Sequence, residues 1–185
     1  MDFELTDEQR SLRASIVEFA RRELNDDVVE RDANGVFSRD AWRRCAELGI
    51  LGLPVPDAYG GSGADATTTM VALEALGYAC TDNGLLFSLN AQMWAVETPI
   101  IRFGSEEQKR RYLPRLADGS YVAAHGMSEP ASGSDAFSLS TTARREGDEY
   151  VLDGSKTFVT NAPDSDLFLV FGTIDRELGF ARATA

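Results

Sequence analysis

Apolar residues recur at helical spacing in the first part of the chain. Between residues 7 and 24, Leu12, Ile16, Ala20 and Leu24 recur every four positions, which places them on one face of a helix. Thr6 and Gln9, ahead of this run, form the pattern of a capping box. The segment therefore predicts an amphipathic helix, whose inner face is made by Leu12, Ile16, Phe19, Ala20 and Leu24.

Further capping residues predict further helices. A second helix is expected between Ser38, a good N-cap residue, and Gly49. A third begins after Asp65, and a fourth, more apolar helix runs over about residues 84–103 with Pro99 as a kink or break. The apolar positions of the second and third helices are Trp42, Cys45, Leu48, Met70, Leu73, Leu76 and Cys80.

Two other features complete the helical part. The stretch Leu53–Gly63 is rich in Gly and Pro and predicts a loop. Ser105 and Gln108 form a second capping box, which begins a short basic helix ending near Gly119. The basic run of this helix, residues 109–111, is interpreted as a solvated face, although it could also attract the phosphates of a nucleotide.

After Gly119 the pattern changes to short runs rich in Val, Thr, Phe and Tyr, which are typical of strands. Hairpin turns are expected at residues 146–148 and, with the stronger signal, at Asp153-Gly154. The last segment, residues 179–185, stops before a sheet of this kind could close. The strand candidates are residues 140–145, 149–152, 156–160 and 167–173.

The change of pattern predicts an α+β protein of two domains. An all-α helical domain covers residues 1–118, and a truncated antiparallel β-barrel or β-sandwich domain covers residues 119–185. A length of 185 residues is compatible with two small domains that have cores of their own.

Composition and charge narrow the possible partners. A net charge of −12 would repel phosphate backbones and anionic lipid headgroups, so we expect no nucleic acid and no membrane partner. The first residues are acidic and precede no apolar segment of the kind found in signal peptides, so we expect a cytoplasmic protein. Cys45 and Cys80 are expected to be buried free thiols. With His125 as the one histidine, we expect no metal site.

Candidate chemistry is concentrated in two segments of the second domain. Residues 125–135 read His-Gly-Met-Ser-Glu-Pro-Ala-Ser-Gly-Ser-Asp, and residues 156–162 read Lys-Thr-Phe-Val-Thr-Asn-Ala. The first segment offers hydroxyl groups, free N–H groups and glycines, which suit a polar, flat or phosphorylated ligand. From the residues alone, a serine-rich turn between strands is the favoured interpretation.

The order M-S-E-P-x-x-G-S-D followed by Y-x-L-x-G-x-K-x-F-V-T-N-A closely resembles the acyl-CoA dehydrogenase family of flavoproteins. The helical part has matching landmarks in L-T-D-E-Q, L-G-L-P-V-P-x-x-Y-G-G-x-G and F-G-S-E-E-Q-K-R-R-Y-L-P-R-L-A-D-G. The family has an N-terminal helical domain, a middle β domain and a C-terminal helical bundle. Here the resemblance ends within the middle domain, so the chain is expected to lack the C-terminal one.

The resemblance implies FAD as cofactor and assigns it a set of residues. Met127 and Ser128 would lie at the flavin ring, Ser134 would contact the pyrophosphate, the substrate or both, and residues 158–160 would cover the other side of the ring. His125 belongs to the set with its role left open, and a half-buried side chain without a role is the alternative. The cofactor set is thus His125, Met127, Ser128, Ser134, Phe158, Val159 and Thr160.

The implied reaction is FAD-dependent α,β-dehydrogenation of an acyl thioester, carried by coenzyme A or by a carrier protein. In the family a glutamate of the C-terminal domain removes the α-proton, so no catalytic residue is assigned here and the isolated chain is expected to be inactive. The implied partners are the substrate, an electron-transfer flavoprotein or another acceptor, and further subunits. A non-catalytic remnant or interaction half, or one half of a split enzyme, is the alternative.

Overall fold

A computed structural model describes residues 4–136 and 138–174, and the backbone of residues 183–184. The chain divides into two compact units, Met1–Val122 and Ala123–Ala185. We refer to them as the helical unit and the strand unit. Each is described by itself below.

The helical unit is built from helices whose ends are set by nearby side chains. Thr6 and Ser105 both form complete capping boxes, with Gln9 and Gln108 respectively. Each hydroxyl accepts the N–H three residues on, and the glutamine side chain accepts the N–H of the capping residue. The helices are α1 (Asp7–Glu23), α2 (Val28–Ala33), α3 (Arg39–Glu47), α4 (Ala66–Ala79), α5 (Asn83–Gln92), α6 (Thr98–Phe103) and α7 (Glu106–Ala117).

The predicted helices are present, and the N-caps at Ser38 and Asp65 are confirmed. Helix α2 was not predicted from the sequence. The loop over residues 53–63 contains a short 3₁₀ turn, Asp57–Tyr59. It folds so tightly that a Cβ atom on Gly61 would lie 2.0 Å from the carbonyl oxygen of Val55, which explains the glycine at that position.

The core of the helical unit lies between α1, α3, α4 and α5. Trp42 is fully buried, and its indole N–H donates to the carbonyl of Gly119 at 3.1 Å. Cys45 and Cys80 are free and buried, as predicted. Burial, with a smaller contribution from Cys80, raises the pKa of the Cys45 thiol to about 12. None of the helices that the structure describes is both long and apolar enough to cross a membrane.

The predicted fourth helix is interrupted earlier than Pro99. A π-helical turn, Met93–Glu97, separates α5 from α6. The N–H of Thr98 bonds to the carbonyl of Met93, five residues back, and the Thr98 hydroxyl donates to the same oxygen at 3.0 Å. Since Pro99 has no N–H to continue the ordinary ladder, the wider turn adjusts the hydrogen bonding before the proline.

The π-helical turn places a carboxyl group inside the helical unit. Glu97 is fully buried, and its Oε1 accepts a hydrogen bond from Nε2 of Gln92 at 3.2 Å. Its Oε2 has no hydrogen-bond partner among the residues that the structure describes. Burial raises the pKa of Glu97 to about 8, although the bond from Gln92 acts in the opposite direction. The carboxyl is therefore mainly protonated at neutral pH.

The strand unit contains two sheets. One pairs β1 with β4, and the other has the order β3-β2-β5-β6. The strands are β1 (Ala123–Gly126), β2 (Thr142–Glu146), β3 (Glu149–Asp153), β4 (Leu167–Val170), β5 (Gly172–Thr173) and β6 (Ala183–Thr184).

The predicted antiparallel architecture is wrong for two of these pairings. β1 and β4 are parallel, with Ala123 opposite Leu167, and β2 pairs parallel with β5. Parallel pairing needs a crossover connection of about a dozen residues or more, and the chain between β1 and β4 is long enough for one. β2–β3 and β5–β6 are antiparallel. A barrel or sandwich is not seen among the described strands.

The predicted hairpin at Asp153-Gly154 and the strand over residues 156–160 are also wrong. The described backbone after β3 leaves the sheet, and Gly154 packs so closely that a Cβ atom there would lie 2.3 Å from the Thr141 hydroxyl oxygen. The N–H of Thr157 bonds to the loop after β1 rather than back to β3. The segment of residues 179–185, on which the prediction of an unclosed sheet rests, lies outside the described residues except for the backbone of β6.

Candidate functional site

The two segments with candidate chemistry lie side by side in the strand unit. The N–H of Thr157 donates to the carbonyl of Ser128 at 2.9 Å. The ammonium group of Lys156 donates to the carbonyl of Met127 at 3.1 Å. Residues 158–160 follow directly. The structure therefore brings Met127 and Ser128 close to the Phe-Val-Thr triplet, although these residues lie far apart in the sequence.

A buried carboxylate, Glu129, lies directly after Ser128. Its side chain is 1% exposed and that of Lys156 is 12% exposed. Oε1 accepts from Nζ of Lys156 at 2.8 Å and from the N–H of Thr141 at 2.9 Å. Oε2 accepts from the N–H of Ser140 at 2.7 Å and from the Ser140 hydroxyl. Ser140 and Thr141 lie at the far end of the β1–β2 connection that carries Glu129, whereas Lys156 comes from the segment after β3.

These contacts fix the charge of Glu129. Burial alone would raise the pKa of this carboxyl, but the Lys156 ammonium and the donors of Ser140 and Thr141 outweigh it and hold the pKa well below its ordinary value. Glu129 is thus an ionised, fully engaged structural carboxylate. Glu146 and Glu149 face each other at the end of the β2–β3 hairpin and are exposed.

Phe158 has the most unusual environment in the site. Its φ angle is +54° and its side chain is 97% exposed. A left-handed backbone is uncommon for a non-glycine residue and rare for a bulky one. The turn is held by Asn161, also at positive φ, whose side-chain amide donates to the carbonyl of Ala123 at 3.0 Å. An aromatic ring held in solvent by a strained, anchored turn is a feature of ligand-binding sites.

Val159, Thr160 and Thr157 lie beside that ring along the chain. Val159 and Thr160 are half-buried. The hydroxyl oxygen of Thr157 is buried and has no hydrogen-bond partner among the described residues. A buried hydroxyl of this kind needs a partner, because the cost of removing it from water is otherwise uncompensated.

His125 and Ser134 complete the residues assigned from the sequence. His125 lies in β1 and is half-buried, with its ring against Phe171 at a centroid distance of 5.2 Å. Burial lowers the pKa of His125, so the ring is neutral at pH 7.

Ser134 is exposed in the loop after Glu129. That loop is closed by two backbone bonds between Glu129 and Ser132. Ser134 lies in the same loop as Ser128.

Two residues that contact the Met127–Glu129 segment, Lys156 and Thr157, were given no role by the sequence analysis. Lys156 and Thr157 stand inside the second motif, but the charge of Lys156 and its contacts with Glu129 become evident only when the two segments are folded together. The available signal was one basic residue and one acidic residue, each placed inside a motif of the same family pattern.

Comparisons with known proteins match most of the chain to two family models. Residues 6–120 match the family model "Acyl-CoA dehydrogenase, N-terminal domain", and residues 124–182 match "Acyl-CoA dehydrogenase, middle domain". The chain belongs to the acyl-CoA dehydrogenase family.

Individual members of the acyl-CoA dehydrogenase family are similar at the level of sequence and structure. The probable acyl-CoA dehydrogenase YngJ of Bacillus subtilis is 40% identical over 162 residues, which are 88% of this chain and 42% of that protein. The crystal structure of the prolyl acyl carrier protein oxidase AnaB is 46% identical with a TM-score of 0.94, covering 98% of this chain and 48% of that one.

A structure described as the FAD complex of PigA is 37% identical, with a TM-score of 0.93, and covers 99% of this chain and 48% of that one. The chain therefore spans about half the length of the relatives that it matches.

Proposed function

We propose that this chain takes part in the FAD-dependent α,β-dehydrogenation of an acyl thioester, and that its strand unit supplies one wall of the flavin site. The observation that carries the proposal is the solvent-exposed ring of Phe158, at positive φ, next to the segment that holds Ser128. Membership of the acyl-CoA dehydrogenase family supports the reaction class. The FAD in the similar PigA structure supports the cofactor.

The residues present fit a flat, polar-edged ring in two ways. The exposed aromatic side chain of Phe158 offers an apolar surface for stacking. The buried, unpartnered hydroxyl of Thr157 offers a hydrogen bond next to that surface. The residues proposed to hold the cofactor are His125, Met127, Ser128, Ser134, Phe158, Val159 and Thr160.

Each group has a task that its chemistry allows. Bound FAD would supply the acceptor for the hydride that leaves Cβ of the acyl group. The hydroxyl of Ser128 can donate a hydrogen bond to the edge of the ring. This bond would stabilise the negative charge of the reduced ring. Phe158 and Val159 exclude water from the ring face. The neutral ring of His125 adds no charge to the site at pH 7.

Removal of the α-proton of the acyl thioester requires a carboxylate base within about 3 Å of that proton. In the strand unit Glu129 is the buried carboxylate among the described residues, and Lys156, Ser140 and Thr141 occupy its oxygens. We therefore propose no catalytic base from this unit. A polypeptide of residues 1–185, given FAD and an acyl-CoA, is expected to reduce no electron acceptor above background.

The carrier of the acyl group stays open between coenzyme A and a carrier protein. One similar protein is named a probable acyl-CoA dehydrogenase and another a prolyl acyl carrier protein oxidase. An electron-transfer flavoprotein or another acceptor, assembly with further subunits, and a cytoplasmic location remain parts of the same proposal.

A titration of the purified chain with FAD, followed by flavin fluorescence, tests the proposed wall. We expect weak, saturable quenching that is lost in Phe158→Ala, because the stacking surface is removed. Phe103→Ala is the matched control, since Phe103 is also a highly exposed phenylalanine, at 85%, but lies on α6 of the helical unit. Equal quenching by wild type and Phe158→Ala would contradict the proposed site.

A further inference from the structure

One ion pair connects the two segments of the proposed flavin wall. Lys156 Nζ lies 2.8 Å from Oε1 of Glu129 and 3.1 Å from the carbonyl oxygen of Met127. Glu129 directly follows Ser128, and Lys156 comes two positions before Phe158. The pair is therefore adjacent in sequence to both sides of the wall.

The environment of the pair makes its geometry hard to change. The Glu129 side chain is 1% exposed, and donors from Ser140, Thr141 and Lys156 occupy both carboxylate oxygens. A charge this deeply buried is tolerated only when it is paired and hydrogen-bonded. Movement of either segment would break several of these bonds together, so one arrangement of the two segments is strongly preferred.

The neighbouring backbone is strained in a way that requires such support. Phe158 has a φ of +54°, and the N–H of Thr157, between Phe158 and Lys156, is the donor to Ser128. Strained backbone persists only where surrounding contacts over-determine it. Lys156 supplies two of the contacts on the N-terminal side of this turn.

We propose that Lys156 and Glu129 are positioning residues, which set the separation between Ser128 and Phe158 and so shape the flavin wall. The proposal rests on the proposed function for its purpose, but its structural part can be measured without flavin. Neither side chain needs to contact the ligand for this role.

Hydrogen exchange of the full chain tests the positioning role directly. In Lys156→Met, we expect the amides of Thr157, Ser140 and Thr141 to exchange faster by roughly ten- to a hundredfold, the change caused by losing a hydrogen bond to a charged group. Amides of the β2–β3 hairpin and of α4 should keep their wild-type rates. Lys109→Met is the matched control, because Lys109 is also paired with a glutamate, at 3.4 Å from Glu106, and should leave all three amides unchanged.

Lys156→Arg is measured in parallel, since Lys156→Met could unfold the strand unit. It keeps the charge, and we expect a smaller increase confined to the same amides. If both variants leave these amides unchanged, or if both raise exchange in the β2–β3 hairpin to the same extent, the pair is not a positioning device and the proposal is overturned.

Flavin supplies a second readout, which a purely stabilising role would not move. Quenching of FAD fluorescence should fall in Lys156→Met, recover at least partly in Lys156→Arg and be unchanged in Lys109→Met, all at a temperature where each variant is folded. Full quenching by folded Lys156→Met would overturn the proposed effect on the flavin wall. If wild type shows no quenching while the exchange pattern holds, the proposed function fails and the pairing of the two segments stands.

Discussion

The helical unit and the strand unit are stabilised in different ways. In the helical unit, side chains such as Trp42, Leu76 and Leu89 are fully buried in one core, and the helix ends are capped by residues within three positions. In the strand unit every residue of β3 is exposed, and a buried ion pair, Glu129–Lys156, joins two separate segments. The first unit thus has a large apolar core, together with long-range polar bonds such as Arg31–Asp82. The second has few buried apolar side chains among its described residues and contains a buried ion pair.

This difference predicts where a substitution should lower the free energy of unfolding most. Apolar burial is distributed over many side chains, so the loss of one large side chain removes part of a common core. In a polar cluster, a few contacts stabilise the whole region. The loss of one partner leaves another group buried and unpaired. The experiments below are arranged to break or sharpen this contrast.

Limited proteolysis should give the largest difference between the units. We expect the first cuts after residue 122, because β3 exposes Tyr150 and Leu152 at 62% and 51% and contributes little to a core, whereas the helical unit opens only by disrupting its core. Mass spectrometry of the early fragments identifies the sites. First cuts within α1, α3 or α4, or equal protection throughout the chain, would remove the contrast.

Trp42→Ala should destabilise the helical unit by about 3–5 kcal/mol, the usual cost of removing a large buried aromatic side chain. The variant also loses the indole bond to the Gly119 carbonyl. Chemical denaturation measures the change in the free energy of unfolding. Leu152→Ala in the exposed strand β3 is the comparison in the other unit and should change the free energy of unfolding by much less. A similar cost for both variants would show that the two units do not differ in this respect.

Glu97→Gln should make the stability of the helical unit less dependent on pH. Because the pKa of Glu97 is about 8 in the folded chain, against an ordinary value of 4.5, the unfolded chain releases this proton first as the pH rises. The protonated carboxyl therefore contributes fully to the free energy of unfolding below pH 4.5, and this contribution is lost as the pH rises through 8. Between these two values the free energy of unfolding can change by about 1.4 kcal/mol per pH unit.

Melting curves at pH 5 and pH 8, two values inside that window, measure this effect. Glutamine is isosteric with the protonated carboxyl, so the variant should gain stability relative to wild type at the higher pH. Glu107→Gln, on the exposed face of α7, controls for the loss of a charge. An equal pH dependence in wild type and Glu97→Gln would mean that the buried carboxyl is already ionised or is paired.

Ser105→Ala should give the smallest effect, a loss of about 1 kcal/mol in the helical unit. The variant removes the hydroxyl that accepts the N–H of Gln108 at 3.2 Å. Ser105→Asp is the control, since aspartate is also a good N-cap residue and should retain most of the stability. Thermal denaturation distinguishes the two variants. A loss in both would indicate that the hydroxyl has a role other than capping.

The same contrast explains how much of the fold could be predicted from the sequence. The capping boxes at Thr6 and Ser105 are interactions between residues three positions apart, so the local sequence was sufficient to predict them. The parallel pairing of β1 with β4 joins residues more than forty positions apart. No local pattern specifies such a pairing, and short alternating runs are equally compatible with either strand direction.

The candidate site shows the same limit. Residues 156–160 have the β-branched and aromatic composition of a strand, but Phe158 adopts a left-handed backbone because the segment bonds to the loop after β1. Family resemblance selected Met127, Ser128 and the triplet beginning at Phe158, and the structure brings the segments that carry them together. Their roles toward a cofactor stay predictions. The engagement of Glu129 by Lys156 depends on the folded contact between these segments.

The buried thiols provide an intrinsic label for the opening of one unit. Both cysteines of the chain, Cys45 and Cys80, lie in the helical unit. A thiol reacts with alkylating reagents as the thiolate, and a pKa of about 12 leaves almost none of it for Cys45 in the native state. Modification of Cys45 would therefore report transient exposure of the helical core, and a brief pulse of iodoacetamide could time that exposure without an added dye.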